Sequence, residues 1–499
     1  MLSYGYGGSI LRIDLTERRY RIEKLDPSWI KPVIGGRAAN TKRLVEELDP
    51  DCDPLDPENI LIYGVGPLTG SLLPASAYFM VSAKSPLTGL IGTSAAGGQF
   101  AAEMKLTGFD QIIITGRSDR LLYLLVTESG AEFVECSELA GKMITETTEA
   151  IRREHYDYNI QVAAIGQAGE NRVLFSTIVS SGNRVNGQTG MGCVMGSKNL
   201  KAVAVRGTKS VEVADPLSFL AEVGKIESHI LKHKEYRKRY RMGTTMLMSD
   251  LNGKGILPIN HYREGNCSYI DEISGQTLAR YYKVKNKACF NCNLHCSRYT
   301  VTNDWEAEGP EFGTLCGFTS RIGNRSLPFA LEMNRTLNQM GLDSGMTSEI
   351  IGWIMACQEQ GFIHPDDLDG FRISWGETDK IRELVDMIVN RRGIGDWMAE
   401  GTAGLLKNFS EEARSLLMHV KRPGKSCGAM GEIETYSKKM ALLVDCLTIC
   451  KTIGYNMDGL NIEKASILLK AGTGLTYSPQ YLEEILEEDL EREHRLNQI

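Results

Sequence analysis

The sequence has no run of apolar residues long enough to cross a membrane as a helix, for which about 18 in a row are needed. Its N-terminus lacks a basic segment followed by an apolar stretch, so we expect no signal peptide and a cytoplasmic location. Twelve cysteines in 499 residues are too sparse for a disulfide scaffold. Basic residues are not in excess, since the formal net charge is −7, which argues against a nucleic-acid-binding protein.

The chain is long enough for two or three domains, and its residue pattern changes shortly after residue 207. Residues 1–207 are short apolar runs separated by glycine and proline clusters, which is typical of strands joined by turns. From Pro216 onward, apolar residues recur at helical spacing. The sequence therefore predicts an α+β fold, with a β-rich domain over 1–207 and two mainly α-helical domains over 208–400 and 401–499. It shows no internal repeat.

Cys289, Cys292 and Cys296 are separated by two and then three residues. This spacing suits a [4Fe–4S] cluster, which needs a thiolate on each iron. A structural zinc site is the alternative, although zinc modules usually present two pairs of ligands. The fourth ligand must come from elsewhere, and spacing does not choose between Cys446 and Cys450. Cys316 and Cys427 are further candidates.

Several short motifs occur in a fixed order along the chain and carry a family resemblance. They are Gly35-Gly-Arg37, Gly66-Pro-Leu-Thr-Gly70, Lys84-Ser-Pro-Leu-Thr-Gly89, Gly97-Gly-Gln-Phe100, Ile165-Gly-Gln-Ala-Gly-Glu-Asn-Arg172, Met195-Gly-Ser-Lys-Asn-Leu-Lys-Ala202 and Glu308-Gly-Pro-Glu311. Each is weak alone, but together they resemble the aldehyde ferredoxin oxidoreductase family. The resemblance implies a central cofactor site, enclosed by the three domains, with tungsten between two pyranopterins and a [4Fe–4S] cluster close by. Molybdenum is the alternative metal, and magnesium bridging the pterin phosphates is a further implied cofactor.

Two pterin-binding motifs of the family have counterparts here. The first resembles Asn338-Gln-Met-Gly-Leu-Asp343, so that Asn338, Gly341, Leu342 and Asp343 are expected to contact one pterin. The second resembles Asp445-Cys-Leu-Thr-Ile-Cys450, so that Asp445, Thr448 and Ile449 are expected to contact the other. The resemblance thereby selects Cys450 as the fourth cluster ligand. Glycines bring backbone close to a bulky ligand and cations bind phosphate. The remaining expected cofactor contacts are Arg37, Lys84, Gly97, Gly98, Arg184 and Lys198.

The chain also departs from the family pattern around the substrate pocket. Tyr78 stands where the family has an arginine, and Gly313 stands where aldehyde oxidisers carry a glutamate. Residues 422–444 contain no histidine, whereas family members have one near the tungsten. A cysteine ligates tungsten in the arene-coenzyme A reductase branch, and Cys316 lies near the lost glutamate, although a buried structural cysteine is the alternative. The predicted catalytic residues are Glu308, Glu311, Cys316 and His419.

Three functions follow from these observations. By resemblance, the chain oxidises an aldehyde to a carboxylate and passes electrons to ferredoxin or to an iron–sulfur partner subunit, as an oligomer or part of a complex. The alternative is a low-potential reductase subunit that acts on an acyl-coenzyme A type of small-molecule substrate. A third hypothesis is a non-catalytic electron-transfer or scaffold subunit. The basic run over residues 232–241 is a solvated helix face, a docking site for an acidic ferredoxin-like partner, or a binding site for the phosphates of a coenzyme A thioester.

Overall fold

The computed structural model describes residues 4–417 and 435–496, and its N-terminal part contains two six-stranded sheets. In β1 the side chains of Leu11 and Ile13 point into the core, as their alternation with polar residues predicts. The strands of the first sheet pair in the order β2-β1-β6-β3-β4-β5, and only β1 and β6 are parallel. Their bounds are β1 Ser9–Asp14, β2 Arg19–Lys24, β3 Leu61–Gly64, β4 Phe79–Lys84, β5 Ile91–Ala96 and β6 Phe109–Thr115.

The second sheet repeats the topology of the first. Its order is β8-β7-β12-β9-β10-β11, again with one parallel pair, β7 and β12. Shifting each strand number down by six gives the order of the first sheet, so the N-terminal part is a structural duplication that the sequence pattern did not predict. The bounds are β7 Leu122–Thr127, β8 Gly130–Glu135, β9 Gln161–Ala164, β10 Ile178–Ser180, β11 Arg184–Asn186 and β12 Leu200–Val205.

Helices occupy equivalent places in the two halves. In each half a helix of 11 or 12 residues lies between the second strand and the third, and a helix of seven residues precedes the sixth strand. The helices of this part are α1 Pro27–Ile30, α2 Gly36–Glu47, α3 Phe100–Leu106, α4 Ile144–Glu154, α5 Gln167–Glu170 and α6 Met191–Ser197. One apolar core joins the two sheets, because Phe79 and Phe100 of the first half pack in the same buried cluster as Met191 and Val203 of the second.

The rest of the chain is mainly helical and contains one small antiparallel sheet, β13 Lys283–Lys287, β14 Ser297–Val301 and β15 Glu306–Glu308. Its helices are α7 Pro216–Lys232, α8 Tyr236–Met242, α9 Leu247–Gly253, α10 Ile270–Ile273, α11 Gly275–Tyr281, α12 Phe312–Gly317, α13 Leu327–Met340, α14 Ser344–Gln360, α15 Thr378–Val389, α16 Ile394–Ala399, α17 Gly401–Asn408, α18 Glu411–Ser415, α19 Thr435–Cys446, α20 Ile462–Thr473 and α21 Pro479–Leu496. Asp215 caps α7 by accepting from the backbone N–H of Ser218, as its place before Pro216 predicts.

Two helical cores result from this packing. Helices α12 to α18 share one apolar core, which includes Trp353. The C-terminal helices α19 to α21 share a second core with α7 and with the first half of the N-terminal part, for example with Ile34. Mixed sheets followed by helices confirm the predicted α+β fold. The division at residues 207 and 400 remains a prediction, and α7 shares the core of the C-terminal helices. No helix of residues 4–417 and 435–496 is both long and apolar enough to span a bilayer.

Candidate functional site

The three clustered cysteines lie in the hairpin loop that joins β13 to β14. Lys287 pairs with Ser297 at the base of this loop, and the two strands hold its ends together. The loop is fastened to the first sheet, because the N–H of Phe290 donates to the carbonyl of Gly98 at 2.9 Å. Ala75 joins the loop to the distant cysteine: its N–H donates to Asn291 O at 3.1 Å, and its carbonyl accepts from the N–H of Cys450 at 3.1 Å. The fold therefore brings Cys450 to the cysteine loop through one residue.

Tyr78 lies close to Cys450, Cys289 and Cys296. The Tyr78 hydroxyl donates to Cys450 Sγ at 3.6 Å, and a Cβ added at Gly97 would lie 2.9 Å from Cys289 Sγ and from the Tyr78 ring. Burial and the nearby Cys450 and Cys289 together raise the pKa of Cys292 to about 12. Burial, Glu311 and the other three cysteines likewise raise the pKa of Cys296. Such thiols become thiolates when a cationic centre offsets their mutual repulsion.

These four residues fit a cluster better than a single ion. Among residues 4–417 and 435–496, no group of three or more His, Cys, Asp or Glu side chains is placed to hold one metal ion. A cubane cluster distributes its four thiolates over four irons, so its ligands lie further apart than those of one ion. Cys446, the competing fourth ligand, lies fully buried among the C-terminal helices, where Asp489 and Asp445 raise its pKa. The assignment of the ligand set remains a prediction that this geometry favours.

The second pterin motif lies where α19 ends and is bound to the first sheet. Thr448 occupies the position at which the family has glycine, and its φ of +52° is rare for a β-branched residue. Its carbonyl accepts from the N–H of Tyr78 at 3.1 Å, and its hydroxyl accepts from the N–H of Gly66 at 3.0 Å and contacts the Thr69 hydroxyl. These bonds hold the turn in the conformation that glycine would adopt without strain.

The first pterin motif lies where α13 ends and is bound to the second sheet in the same way. Gly341 ends the helix with a φ of +69°, and its carbonyl accepts from the N–H of Thr177 at 2.8 Å. The N–H of Asp343 donates to the carbonyl of Phe175 at 3.3 Å. Asp343 also caps α14 and accepts from the N–H of Gln188 at 2.9 Å, and its burial raises its pKa.

The two motifs are thus held by equivalent residues of the duplicated halves. Tyr78 and Thr177 each immediately precede the fourth strand of their half, and each donates to the fourth residue of its motif. Gly66 and Gly166 each lie two residues after the third strand of their half, where the backbone of a motif packs closely against them. A Cβ added at Gly66 would lie 2.7 Å from Cys446 O, and one added at Gly166 would lie 2.4 Å from Met340 O. Equivalent surroundings at the two helix ends suit two copies of one cofactor.

Unpartnered polar atoms around the first motif indicate a place for a polar ligand. Five buried side-chain oxygens in this part of the second half have no hydrogen-bond partner, and they belong to Ser176, Thr177, Ser180, Asn186 and Thr189. Leaving one such group unsatisfied costs about 1–3 kcal/mol, so a bound group with donors and acceptors is the simplest way to satisfy them. A pyranopterin has such groups along its ring edge, and these residues therefore fit the cofactor.

Two of the predicted phosphate-binding cations lie at the site, although each has a protein partner. Arg37 forms a two-bond ion pair with Glu493 at 2.7 Å and contacts Asp445 at 3.2 Å. Arg184 pairs with Glu308 beside Cys289, and an added Cβ at Gly98 would lie 2.9 Å from the Arg184 Cγ.

The other two predicted phosphate-binding cations, Lys198 and Lys84, donate to backbone carbonyls outside the cysteine loop. Lys198 is fully buried and donates to Pro57 O at 2.8 Å and to Gly116 O at 3.2 Å, and this burial lowers its pKa to about 7. Lys84 donates to the carbonyl of Pro50. Backbone carbonyls therefore already bind the amino groups of both lysines in this structure, although each ammonium group has three donors. Their cofactor roles stay predictions.

The predicted catalytic residues fall into three settings. Glu308 and Glu311 lie beside the cysteines, where Glu308 pairs with Arg184, and Glu311 accepts from Thr244 and lies 3.1 Å from Arg298. Cys316 is fully buried on α12 in the first helical core, with its Sγ 3.6 Å from the Ser320 hydroxyl. His419 lies outside the described residues. The position of Cys316 is what a structural cysteine requires, and its catalytic role stays a prediction.

Ala75 and the hydroxyl of Tyr78 are contacts that sequence reasoning did not find. Ala75 has a φ of +59°, which an alanine rarely adopts, but nothing in its residue type signals this conformation. Tyr78 was visible only as a departure from the family pattern. Two surface cavities of about 480 Å³ and 340 Å³ lie elsewhere, the first beside Arg172 and Arg391 and the second beside Lys142 and Arg153.

Four converging cysteines beside two equivalent, glycine-lined helix ends are the arrangement of a redox protein that pairs an iron–sulfur centre with a second cofactor. Residues 10–207 match the sequence profile of the N-terminal domain of aldehyde ferredoxin oxidoreductase, and residues 222–427 match that of its domains 2 and 3. The chain belongs to the aldehyde ferredoxin oxidoreductase family. Membership confirms the family resemblance seen in the motifs, and with it the prediction of an oxidoreductase.

Named relatives extend over most of the chain. The tungsten-containing aldehyde ferredoxin oxidoreductase of Pyrococcus abyssi is 36% identical over 82% of this chain and 68% of its own length. The aliphatic sulfonate oxidoreductase, WOR-like subunit, of Pyrococcus furiosus is 28% identical over 86% of this chain and 72% of its own. Among solved structures, the active-site complex BamBC of benzoyl coenzyme A reductase with 1,5-dienoyl-CoA shares the fold. Its TM-score is 0.88 at 23% identity, covering 99% of this chain and 89% of that one.

Proposed function

We propose that this chain is a tungsten bis-pyranopterin oxidoreductase that oxidises an aldehyde to a carboxylate and passes the electrons through a [4Fe–4S] cluster to an iron–sulfur partner. The observation that supports the proposal is the link between the cysteine loop and the second motif: Ala75 bonds to both Asn291 and Cys450, and Tyr78 bonds to both Cys450 and Thr448. Tungsten and its pterins would supply the oxygen-transfer and two-electron chemistry, while the protein supplies orientation and tuning. The names of the relatives that are 33–36% identical support the aldehyde as substrate class.

The residues divide this work among them. The four cysteines would hold the cluster, and Asn338, Asp343 and Asp445 would contact the pterins together with the two motif backbones. Arg184 would bind a pterin phosphate at the Gly97-Gly98 loop, held in place by its pair with Glu308. Both glutamates are ion-paired, but Glu311 is the better proton carrier, because its side chain is 45% exposed whereas that of Glu308 is 8% exposed.

A second candidate function is reduction of a coenzyme A thioester in a multi-subunit complex. The observation that favours it is the shared fold with a structure of benzoyl coenzyme A reductase that contains a dienoyl-CoA. Departures around the pocket also favour it, since Gly313 replaces the glutamate that aldehyde oxidisers carry. Fold similarity alone does not carry a substrate from one protein to another, so this function ranks second.

Elemental analysis of protein purified without oxygen tests the proposal. We expect about four irons and one tungsten or molybdenum per chain. Iron without either metal would support an electron-transfer subunit instead, and zinc as the only metal would overturn both. If tungsten is found, a screen of aldehydes with a viologen dye as electron acceptor separates the first function from the second. Absence of aldehyde turnover, together with reduction of an acyl-coenzyme A by the pre-reduced protein, would favour the second.

A further inference from the structure

We propose that a basic surface above the cysteine loop docks a small acidic protein that carries its own iron–sulfur centre near its surface. This inference rests on the proposed function, because it names the partner that the [4Fe–4S] cluster would serve. The surface, called here the basic patch, consists of Arg237 and Arg241 on α8 and Lys285 and Lys287 on β13. All four side chains are exposed.

The basic patch lies directly over the cluster ligands. Lys287 is two residues before Cys289, at the base of the hairpin loop. On the other side, α8 packs on the same loop through two tyrosines. The Tyr236 hydroxyl donates to Asn293 O at 3.0 Å, and the Tyr240 ring lies 6.2 Å from the His295 ring. Asn286 ties the two sides together by donating to the carbonyls of Tyr240 at 2.8 Å and His295 at 3.0 Å.

The charges of this surface are available to a partner. None of its four cations forms an ion pair within the part of the chain that the structure describes, whereas Lys238 and Arg239 of the same helix pair with Asp250 and Glu235. This group of unpaired cations lies in a chain whose formal net charge is −7. It creates a local positive field that attracts and orients an acidic partner, although the chain as a whole would repel it.

The position also suits electron transfer. Asn291 and His295 of the cysteine loop are exposed to solvent, and Cys292 and Cys296 are partly exposed. A partner seated on the basic patch would therefore lie close to the exposed part of the cysteine loop. Transfer of one electron oxidises the cluster by one electron and reduces the iron–sulfur centre of the partner by one electron. No atoms are exchanged. A coenzyme A molecule, whose phosphates are also anionic, is the alternative occupant that the test must separate.

A binding experiment tests the patch without depending on turnover. The probe is a small acidic bacterial-type ferredoxin, titrated calorimetrically into the full chain at about 20 mM and about 300 mM NaCl, since salt screens exposed charges. The test variant carries Arg237→Glu with Lys287→Glu. The control carries Lys24→Glu with Arg372→Glu, two exposed cations without ion pairs in the described structure, which gives the same change in net charge. A second test variant with Arg237→Gln and Lys287→Gln covers the case in which charge reversal disturbs folding.

We expect the test variants to lose affinity for ferredoxin by about tenfold or more at low salt, and the control to stay within about twofold of the unmodified chain. Unmodified chain should bind much more weakly at high salt. Equal binding by test variant and unmodified chain, or an equal loss in the control, would overturn the proposal. So would a titration in which the test variant loses coenzyme A binding but keeps ferredoxin. Iron measured on the same samples distinguishes failure of the docking proposal from failure of the proposed function. A chain that contains no iron but still binds ferredoxin through the basic patch would support the docking site and contradict the [4Fe–4S] cluster.

Discussion

At the scale of single residues, the most informative departure from the family pattern is Tyr78, because it changes which group would contact the predicted cluster. Arginine at this position would place a fixed charge near the thiolates. Tyrosine places a neutral hydroxyl 3.6 Å from Cys450 Sγ instead. Hydrogen bonds to the ligating sulfurs stabilise the more negative, reduced cluster and so raise its reduction potential. The substitution is therefore expected to tune the cluster rather than to remove it.

Tyr78→Phe tests this role. We expect a lower cluster reduction potential, by about 40 mV, since a hydrogen bond worth about 1 kcal/mol to the reduced form corresponds to that shift for one electron. The measurement is a redox titration followed by electron paramagnetic resonance. Tyr236→Phe is the matched control, because that hydroxyl donates to the loop carbonyl of Asn293 and not to a sulfur. An unchanged potential in Tyr78→Phe, or an equal shift in the control, would contradict the assigned hydrogen bond.

At the scale of secondary-structure elements, the contact between α2 and α19 determines where the second motif lies. Gly36 begins α2 with a φ of +48°, and a Cβ built there would lie 2.3 Å from Asp445 O and 2.9 Å from Cys446 O. Glycine is needed for both reasons, since other residues rarely adopt this conformation and none fits the space. The end of α19 therefore rests on the backbone of α2 itself.

Gly36→Ala is expected to displace the end of α19 and with it Cys450. We predict a loss of more than about 2 kcal/mol in stability and a reduced iron content, because both backbone strain and a clash oppose the native packing. Thermal unfolding and iron analysis measure the two effects. Gly224→Ala on α7 is the control: an added Cβ there meets nothing within 4 Å, and alanine should stabilise the helix by about 0.5–1 kcal/mol. A Gly36→Ala protein with full iron and normal stability would show that α2 does not position the motif.

The packing of α21 predicts a pH dependence of stability. Asp489 is buried against the C-terminal core, and this burial raises its pKa to about 7 in spite of the pair with Arg492. Lys42 and Cys446 on neighbouring elements also lie within its electrostatic reach, as does Glu493 on its own helix. The folded chain therefore binds a proton that the unfolded chain has released above about pH 4. The contribution of this group to stability is fully present below about pH 4 and is lost as pH rises to about 7.

Asp489→Asn should remove the loss of stability that the ionisation of Asp489 causes as pH rises. We expect the variant to gain stability relative to the unmodified chain as pH rises from about 4 to 7, with no further gain above it, because asparagine stays neutral while its oxygen still accepts from Arg492. The measurement is the difference in unfolding temperature at fixed heating rate across this range. Asp379→Asn is the control, since Asp379 also pairs with the arginine three residues later but its side chain is 95% exposed. A constant difference across the range would show that Asp489 is ionised in the folded chain.

At the scale of the whole molecule, residue patterns in the sequence predicted the secondary structure and the family. They did not predict features that depend on backbone geometry. The strands and helices followed from alternation and helical spacing, and the motifs led to the family. The duplication of the two sheets escaped prediction because equivalent positions carry different residues: Gly66 and Gly166 match, but Tyr78 corresponds to Thr177 and Ala75 to Phe175. Their shared task is performed by backbone N–H and carbonyl groups, which every residue type supplies. Lys198 and Lys84 could not be separated from Arg184 in sequence, because only the fold shows which cations already donate to backbone carbonyls.

The cluster would also act as a bond between distant parts of the chain. Cys289, Cys292 and Cys296 belong to a hairpin, and Cys450 follows the helix α19, so four iron–thiolate bonds would join segments about 150 residues apart. Linking sites this far apart restricts the unfolded chain, and a centre that binds only the folded state stabilises it. Without the cluster, these segments are joined by the hydrogen bonds of Ala75 and by the packing of Leu294 in the core of the C-terminal helices.

Cys450→Ala is accordingly expected to lose most of its iron and to unfold at a temperature lower by at least several degrees, as should the unmodified chain after its iron is chelated. Metal analysis and thermal unfolding of both samples provide the measurement. Cys357→Ala is the matched control, because Cys357 is fully buried in the first helical core and its loss costs packing without touching the cluster. Cys446→Ala should resemble that control, with reduced stability and full iron. If Cys446→Ala loses the iron while Cys450→Ala retains it, the fourth ligand is Cys446, and the second motif holds its cysteine one helical turn earlier than the resemblance implies.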